Sequence, residues 1–218
     1  MDNRLDSNSA CFYDKKVKEP VGPSLNTMNI TYSECTPGDY KTIGRQIGNR
    51  EVNCGGIIQR CFYGCPRIIL LNPVKCGGDG KSALNYESIS NVMWLTCPYL
   101  NRKIHEIENR GYIEKIGFFL KEDRLLTEKM SNAHAHYFYI RKRIYRDFFN
   151  DLFPESEIKV FNTGIGGVRD PSSIKCLHVH FSHYQIFPEN VAGRLTSLLL
   201  DDVINCEDGF CLNADEAV

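Results

Sequence analysis

No stretch of this chain approaches the roughly 20 consecutive apolar residues that a membrane-spanning helix needs. The longest apolar runs are Ile68 to Leu71 and Leu198 to Leu200. Met1-Asp2-Asn3-Arg4 leads into polar sequence where a secretory leader would place its apolar core, so the expected address is the cytoplasm, with no membrane partner. Charge of one sign is not in excess either: 26 Lys and Arg face 27 Asp and Glu. No global field therefore draws the protein to nucleic acid, and any basic surface must be local. A Cys-x-x-Cys pair, the mark of a compact zinc knuckle, is missing, Cys61-x3-Cys65 being looser. The Gly80-Lys81-Ser82 string lacks the glycine that a phosphate-binding loop needs where Lys75 stands, and a flexible glycine loop is the better reading.

What the chain does have is cysteine. Ten are many for a reducing compartment, where thiols serve as metal ligands, nucleophiles or small buried apolar groups more often than as disulfides. The densest chemistry lies in Ile174-Lys175-Cys176-Leu177-His178-Val179-His180-Phe181-Ser182-His183, which holds half of the six histidines and one cysteine.

Apolar spacing, turn residues and capping signals predict a helix-rich α+β fold. Residues 1–40, broken by Pro20, Pro23 and Pro37, read as a disordered N-terminal arm in which Cys11 and Cys35 are incidental. A single domain over 41–205 and a polar tail over 206–218, with Cys206 and Cys211 also incidental, complete the expected organisation. Within the domain, Asp39–Asn49 contains a short helix. Ile57–Phe62 and Arg67–Leu71 form two strands around a thiol-bearing turn, and Val92–Leu95 forms a buried strand. Thr96-Cys97-Pro98 opens a helix that Gly111 closes, which puts Cys97 at a positive helix end that favours thiolate. The longest helix spans about Lys121 to Phe153, with Leu125, Met130, Ala133, Tyr137, Ile140, Ile144 and Phe148 as its apolar stripe. Glu157–Phe161 is a short edge strand, and two further helices cover Pro171 to Phe187 and Pro188 to Val203.

In a helix over 171–187, Cys176, His180 and His183 share one face while His178 points about 200° away from Cys176. If Cys176 instead lies at the helix start, both neighbouring histidines are open to it. With too few ligands locally, a site must be assembled over distance from Cys61, Cys97 and Cys176, with His180 or a substrate in the fourth position of a zinc ion or iron–sulfur cluster.

Several strings, in order, resemble an uncharacterised bacterial family, the domain of unknown function 501. They are Arg60-Cys61-x-x-Gly64-x-Pro66, Trp94-Leu95-Thr96-Cys97-Pro98, Ala133-His134-x-x-Tyr137 with Arg141, Gly164-Ile165-Gly166-Gly167-Val168-Arg169, and Ile174-Lys175-Cys176-Leu177-His178-x-His180. The resemblance spans roughly residues 42–205. It implies Cys61, Cys97, Cys176, His178, His180, His134 and Arg141 as functional candidates, and Cys65 matches no family cysteine. Glu87-Ser88-Ile89-Ser90-Asn91 stands where the family has a Pro-Phe-Pro-Thr-like stretch. The family carries no established activity.

Three functional readings follow. The first is a zinc or iron–sulfur protein, an enzyme on a small anionic or nucleobase-like substrate if one coordination position stays open, with Arg141 or Lys175 holding the anion. The second is a thiol enzyme with Cys97 as nucleophile and His178 or His134 as base. The third is a non-enzymatic RNA- or DNA-binding module using Arg141, Arg143 and the aromatics between Tyr137 and Phe149, which the balanced net charge disfavours. Oligomeric state has no signature in the sequence.

Overall fold

A computed structural model describes residues 30–48, 52–72, 74–75, 85–86, 90–149, 163–170, 172–201, 203, 205–207, 209 and 211. The arm before residue 30 with Cys11, the glycine loop at 76–84, the edge strand expected at 157–161 and the tail from 212 lie outside the described residues.

The fold is α+β and rich in helix. Helix α1 (Pro37–Gln46) is followed by strands β1 (Cys54–Arg60) and β2 (Pro66–Leu71), a small pair β3 (Val74–Lys75) and β4 (Asn85–Tyr86), and strand β5 (Met93–Leu95). Helices α2 (Pro98–Asn109), α3 (Tyr112–Glu122), α4 (Arg124–Phe149), α5 (Leu177–Tyr184) and α6 (Val191–Leu199) complete it, with a 3-10 turn at Ile165–Gly167. The antiparallel sheet has the order β1-β2-β5. Because strand side chains alternate, Ile68 and Leu70 enter the main core with α2, α4 and α5, while Ile69 packs with Ile57 and with Ile43 of α1 on the other face. The central strand is thus apolar on both faces, as a strand covered on both sides must be.

Helix α1 starts at Pro37, earlier than the Asp39 expected, behind a Thr36 cap, whereas α2 starts at Pro98 as expected but with no side-chain cap from Cys97. Thr36 accepts a hydrogen bond from the Asp39 amide while the Asp39 carboxylate accepts one from the Thr36 amide, and Pro37 follows the cap. Gly111, at φ 75°, closes α2 in the left-handed region. Leu100, Ile104 and Ile107 line the buried face of α2, each worth about 1.5–3 kcal/mol of burial.

Four expectations need correction. Residues 30–36 are not a loose arm: Ser33 exchanges two backbone hydrogen bonds with Ile57, and Cys35, read as incidental, is disulfide-bonded to Cys54. The region before α4 carries a separate helix, α3, and Asp123 separates the two in an extended conformation. Leu125 is exposed, so the buried stripe of α4 begins further along, at Met130. Finally, α5 starts at Leu177 and not at Pro171. The Asp170 carboxylate accepts from the Ser172 amide and from both serine hydroxyls, which spends the capping group on a single turn, and Cys176 is extended.

Helices α5 and α6 pack at close range through Gly193. A Cβ there would sit 2.3 Å from the His180 carbonyl oxygen and 2.5 Å from the Tyr184 Cβ. Replacing glycine by alanine in a helix ordinarily gains up to about 1 kcal/mol, whereas forcing backbone apart in a packed core costs about 1–3 kcal/mol. Gly193→Ala is therefore expected to lower the midpoint of chemical denaturation. An unchanged or raised midpoint would show that the helices can separate freely.

Candidate metal centre

Three side chains from two elements meet at the start of α5. Glu108 lies in the last turn of α2, His178 in the first turn of α5, and Cys176 is the extended residue that precedes α5. One ligand atom from each lies within 4.8 Å of the others, and this group can hold a metal ion. The extended backbone at Cys176 turns its thiol toward His178, two residues on, which a helix would have prevented. His178, not His180, is the histidine that joins Cys176.

The distances are informative. His178 Nδ1 lies 3.3 Å from Glu108 Oε1 and 3.6 Å from Cys176 Sγ. One ring nitrogen holds a single proton or lone pair, so it cannot make good hydrogen bonds to both neighbours at once. A zinc ion with tetrahedral bonds of about 2.0–2.1 Å to N and O and about 2.3 Å to S holds N and O about 3.3 Å apart, and N and S about 3.6 Å apart. The observed spacings match those two values.

The outer shell suits the same arrangement. His178 Nε2 lies 3.1 Å from the Asn101 carbonyl oxygen, which fixes the ring and directs Nδ1 at Cys176 and Glu108. Glu108 Oε1 also accepts a 2.7 Å hydrogen bond from the Leu177 amide. Burial alone would lower the His178 pKa, but Cys176, Glu108 and Asn101 together hold it up at about 10. The Glu108 carboxyl feels burial pushing it up, yet His178 and the Leu177 amide bring it below its ordinary value.

The remaining sequence candidates fall elsewhere. The sulfurs of Cys61, Cys97 and Cys176 do not come within 4.8 Å of one another. Cys97 is buried at the start of α2 and makes no capping hydrogen bond. Burial pushes its thiol up, although the Leu100 and Tyr99 amides lie near enough to favour thiolate. Arg141 is fully buried and donates to the Thr163 and Gly164 carbonyls, which makes it a brace for the glycine turn. Tyr137 and Tyr145 of the expected nucleic-acid face are also in the core, whereas Tyr139 is exposed. Lys175 is exposed beside the centre.

His134 and His180 are buried, with ring centroids 5.8 Å apart. His134 Nδ1 accepts from the Ile165 amide, and a Cβ on Gly164 would lie 2.4 Å from that nitrogen, so only glycine fits there. Asn190 ties the set together: its amide nitrogen lies 3.0 Å from His183 Nδ1, its oxygen accepts from the Gly193 amide, and His183 Nε2 meets His136 Nδ1 at 2.9 Å. Glu108, the member of the metal group that sequence reasoning missed, stands 68 residues before Cys176 and carries no local signal.

Residues 57–197 match the family model described as "Protein of unknown function (DUF501)". The match contains Glu108, Cys176 and His178. No curated protein and no solved structure matches the chain.

Burial lowers the His134 pKa to about 4 and the His183 pKa well below its ordinary value. The unfolded chain takes up these protons near pH 6.5 whereas the folded one refuses them, so stability is full above that pH and lost as pH falls toward 4. Each such histidine contributes a slope of about 1.4 kcal/mol per pH unit in that window. Denaturation midpoints should fall steeply as pH drops from about 6.5 to 4.5, a window in which His178, protonated in both states, adds little slope; a level profile down to pH 5 would contradict the neutral, buried assignment.

Proposed function

The chain belongs to the family described as "Protein of unknown function (DUF501)", and on that premise we propose that it is a metal-dependent enzyme whose centre is Glu108, Cys176 and His178. The observation that carries this reading is the pair of distances from His178 Nδ1, 3.3 Å to Oε1 and 3.6 Å to Sγ, both of which a shared zinc-class ion accounts for. Three protein ligands on a partly exposed site leave a fourth position for water or substrate, the pattern of catalytic zinc. A metal held there would lower the pKa of bound water and polarise a substrate oxygen. The exposed Lys175 beside Cys176 suits a small anionic substrate.

The donor set of one carboxylate, one thiolate and one imidazole supports zinc over an iron–sulfur cluster, which is held mainly by thiolates. A Cys–His nucleophile pair is the second reading, since Cys176 faces His178. In such a pair the carboxylate orients the base from its other nitrogen, but here Glu108 and Cys176 share Nδ1 while Nε2 meets a carbonyl. Among the described residues, no helix is long and apolar enough to cross a membrane, while the Cys35–Cys54 disulfide speaks against the reducing cytoplasm expected from the sequence.

Zinc measured by elemental analysis after equilibrium dialysis tests the centre. Cys176→Ser and His178→Ala should each lower zinc content by about one ion per chain, and Glu108→Gln should weaken affinity by about tenfold or more. Unchanged stoichiometry and affinity in all three variants would sink the proposal.

A further inference from the structure

Six free cysteines are among the described residues, and Cys61, Cys65 and Cys211 lie at the β1–β2 turn. Cys61 and Cys65 flank that turn. The Cys61 amide donates to the Cys65 carbonyl, the Gly64 amide donates to the Cys61 carbonyl, and Gly64 adopts φ 77°. Arg60, in a bidentate ion pair with Asp39, also donates to the Gly64 carbonyl and braces the turn.

The C-terminal segment lies over the same turn. Asn205 Oδ1 accepts from the Phe62 amide and from Arg67, Tyr63 Oη donates to the Glu207 carbonyl, and Gln46 Nε2 reaches both the Pro66 carbonyl at 2.8 Å and Cys211 Sγ at 3.2 Å. Cys97 arrives from β5: Thr96, its neighbour, donates its amide to the Arg67 carbonyl and its hydroxyl to the Pro66 carbonyl. The Cys65 thiol interacts with Cys61 and Cys211, and Cys97 is in the field of Cys211 and Cys206.

We propose that Cys61, Cys65, Cys97 and Cys211 form a second, structural zinc site, with Cys206 at its rim, which staples the C-terminal segment to the β1–β2 turn. Four thiolates fill a tetrahedral zinc and leave no open position, which is the structural pattern. Two of the ligands flank a tight, glycine-containing turn, and a third sits at a helix N-terminus where dipole and amides favour anionic sulfur. Such a complex carries two net negative charges, and the buried Arg67 guanidinium lies in the field of Cys97 and Cys61 to offset them. In the metal-free arrangement no three of these sulfurs lie within 4.8 Å of one another, although Cys65 interacts with both Cys61 and Cys211. Zinc draws them together and releases one proton per thiol. The site is separate from the Glu108 centre and does not depend on it.

The test uses full-length protein carrying Cys176→Ser, so that any zinc remaining reports on the thiols alone. About one zinc per chain is expected to remain, to be released on titration with a mercurial reagent, and to disappear when Cys211→Ser is added. Cys211 lies in the terminal segment, away from the main core, so that variant keeps its helical circular dichroism. Removing zinc from the parent chain with a chelator should raise hydrogen exchange at residues 203–211 and leave α2 and α5 protected. Three results would overturn the proposal: no zinc in the Cys176→Ser protein, zinc retained after Cys211→Ser, or a Cys65–Cys211 disulfide in protein freshly purified without reductant.

Discussion

The hydrogen bond from the Leu177 amide to Glu108 Oε1, 2.7 Å long, joins the last turn of α2 to the first residue of α5. It satisfies an orphan amide at a helix start with a carboxylate, an interaction that the helix dipole reinforces. It also fixes where α5 begins. Because α5 begins there, Cys176 stays extended, its thiol turns toward His178, and both come to the carboxylate that made the bond. His178 then closes the loop by reaching the Asn101 carbonyl, about two turns earlier on the same face of α2. Had α5 begun at Pro171, Cys176 and His178 would point in opposite directions and no centre would exist.

Around this junction the polar core is organised by glycine and histidine. Gly164 admits the His134 ring against the backbone, and His134 with Arg141 holds the loop that leads back to Cys176. Gly193 lets α6 approach the His180 carbonyl closely enough for Asn190 to cap α6 and contact His180 and His183 together. The buried histidines are neutral because burial disfavours their charge. His183 is satisfied by His136 and Asn190, whereas His134 and His180 each keep a buried Nε2 without a hydrogen-bond partner among the described residues.

Much of the framework was legible in the sequence because its signals are local. The strands about the Cys61–Cys65 turn, the Thr96-Cys97-Pro98 start of α2 with its Gly111 stop, and the long α4 all follow from capping and periodicity. The candidate centre was legible in part: Cys176 and His178 stood out, but Glu108 did not, since nothing near a surface-like carboxylate in α2 marks it as the partner of residues 68 and 70 positions later. Helix α3 escaped because Gly111 both stops α2 and opens α3, so one residue carries two signals. Cys206 and Cys211 looked incidental in a polar tail, and only the fold lays that tail over the β1–β2 turn.

The most direct measurement is anomalous diffraction at the zinc absorption edge, from crystals of full-length protein grown without chelator. A peak bonded to Glu108 Oε1, Cys176 Sγ and His178 Nδ1, with a fourth position taken by solvent or a small anion, is the expected result. A metal-free centre in which His178 is an imidazolium hydrogen-bonded to Glu108 and Cys176 stands apart would contradict it.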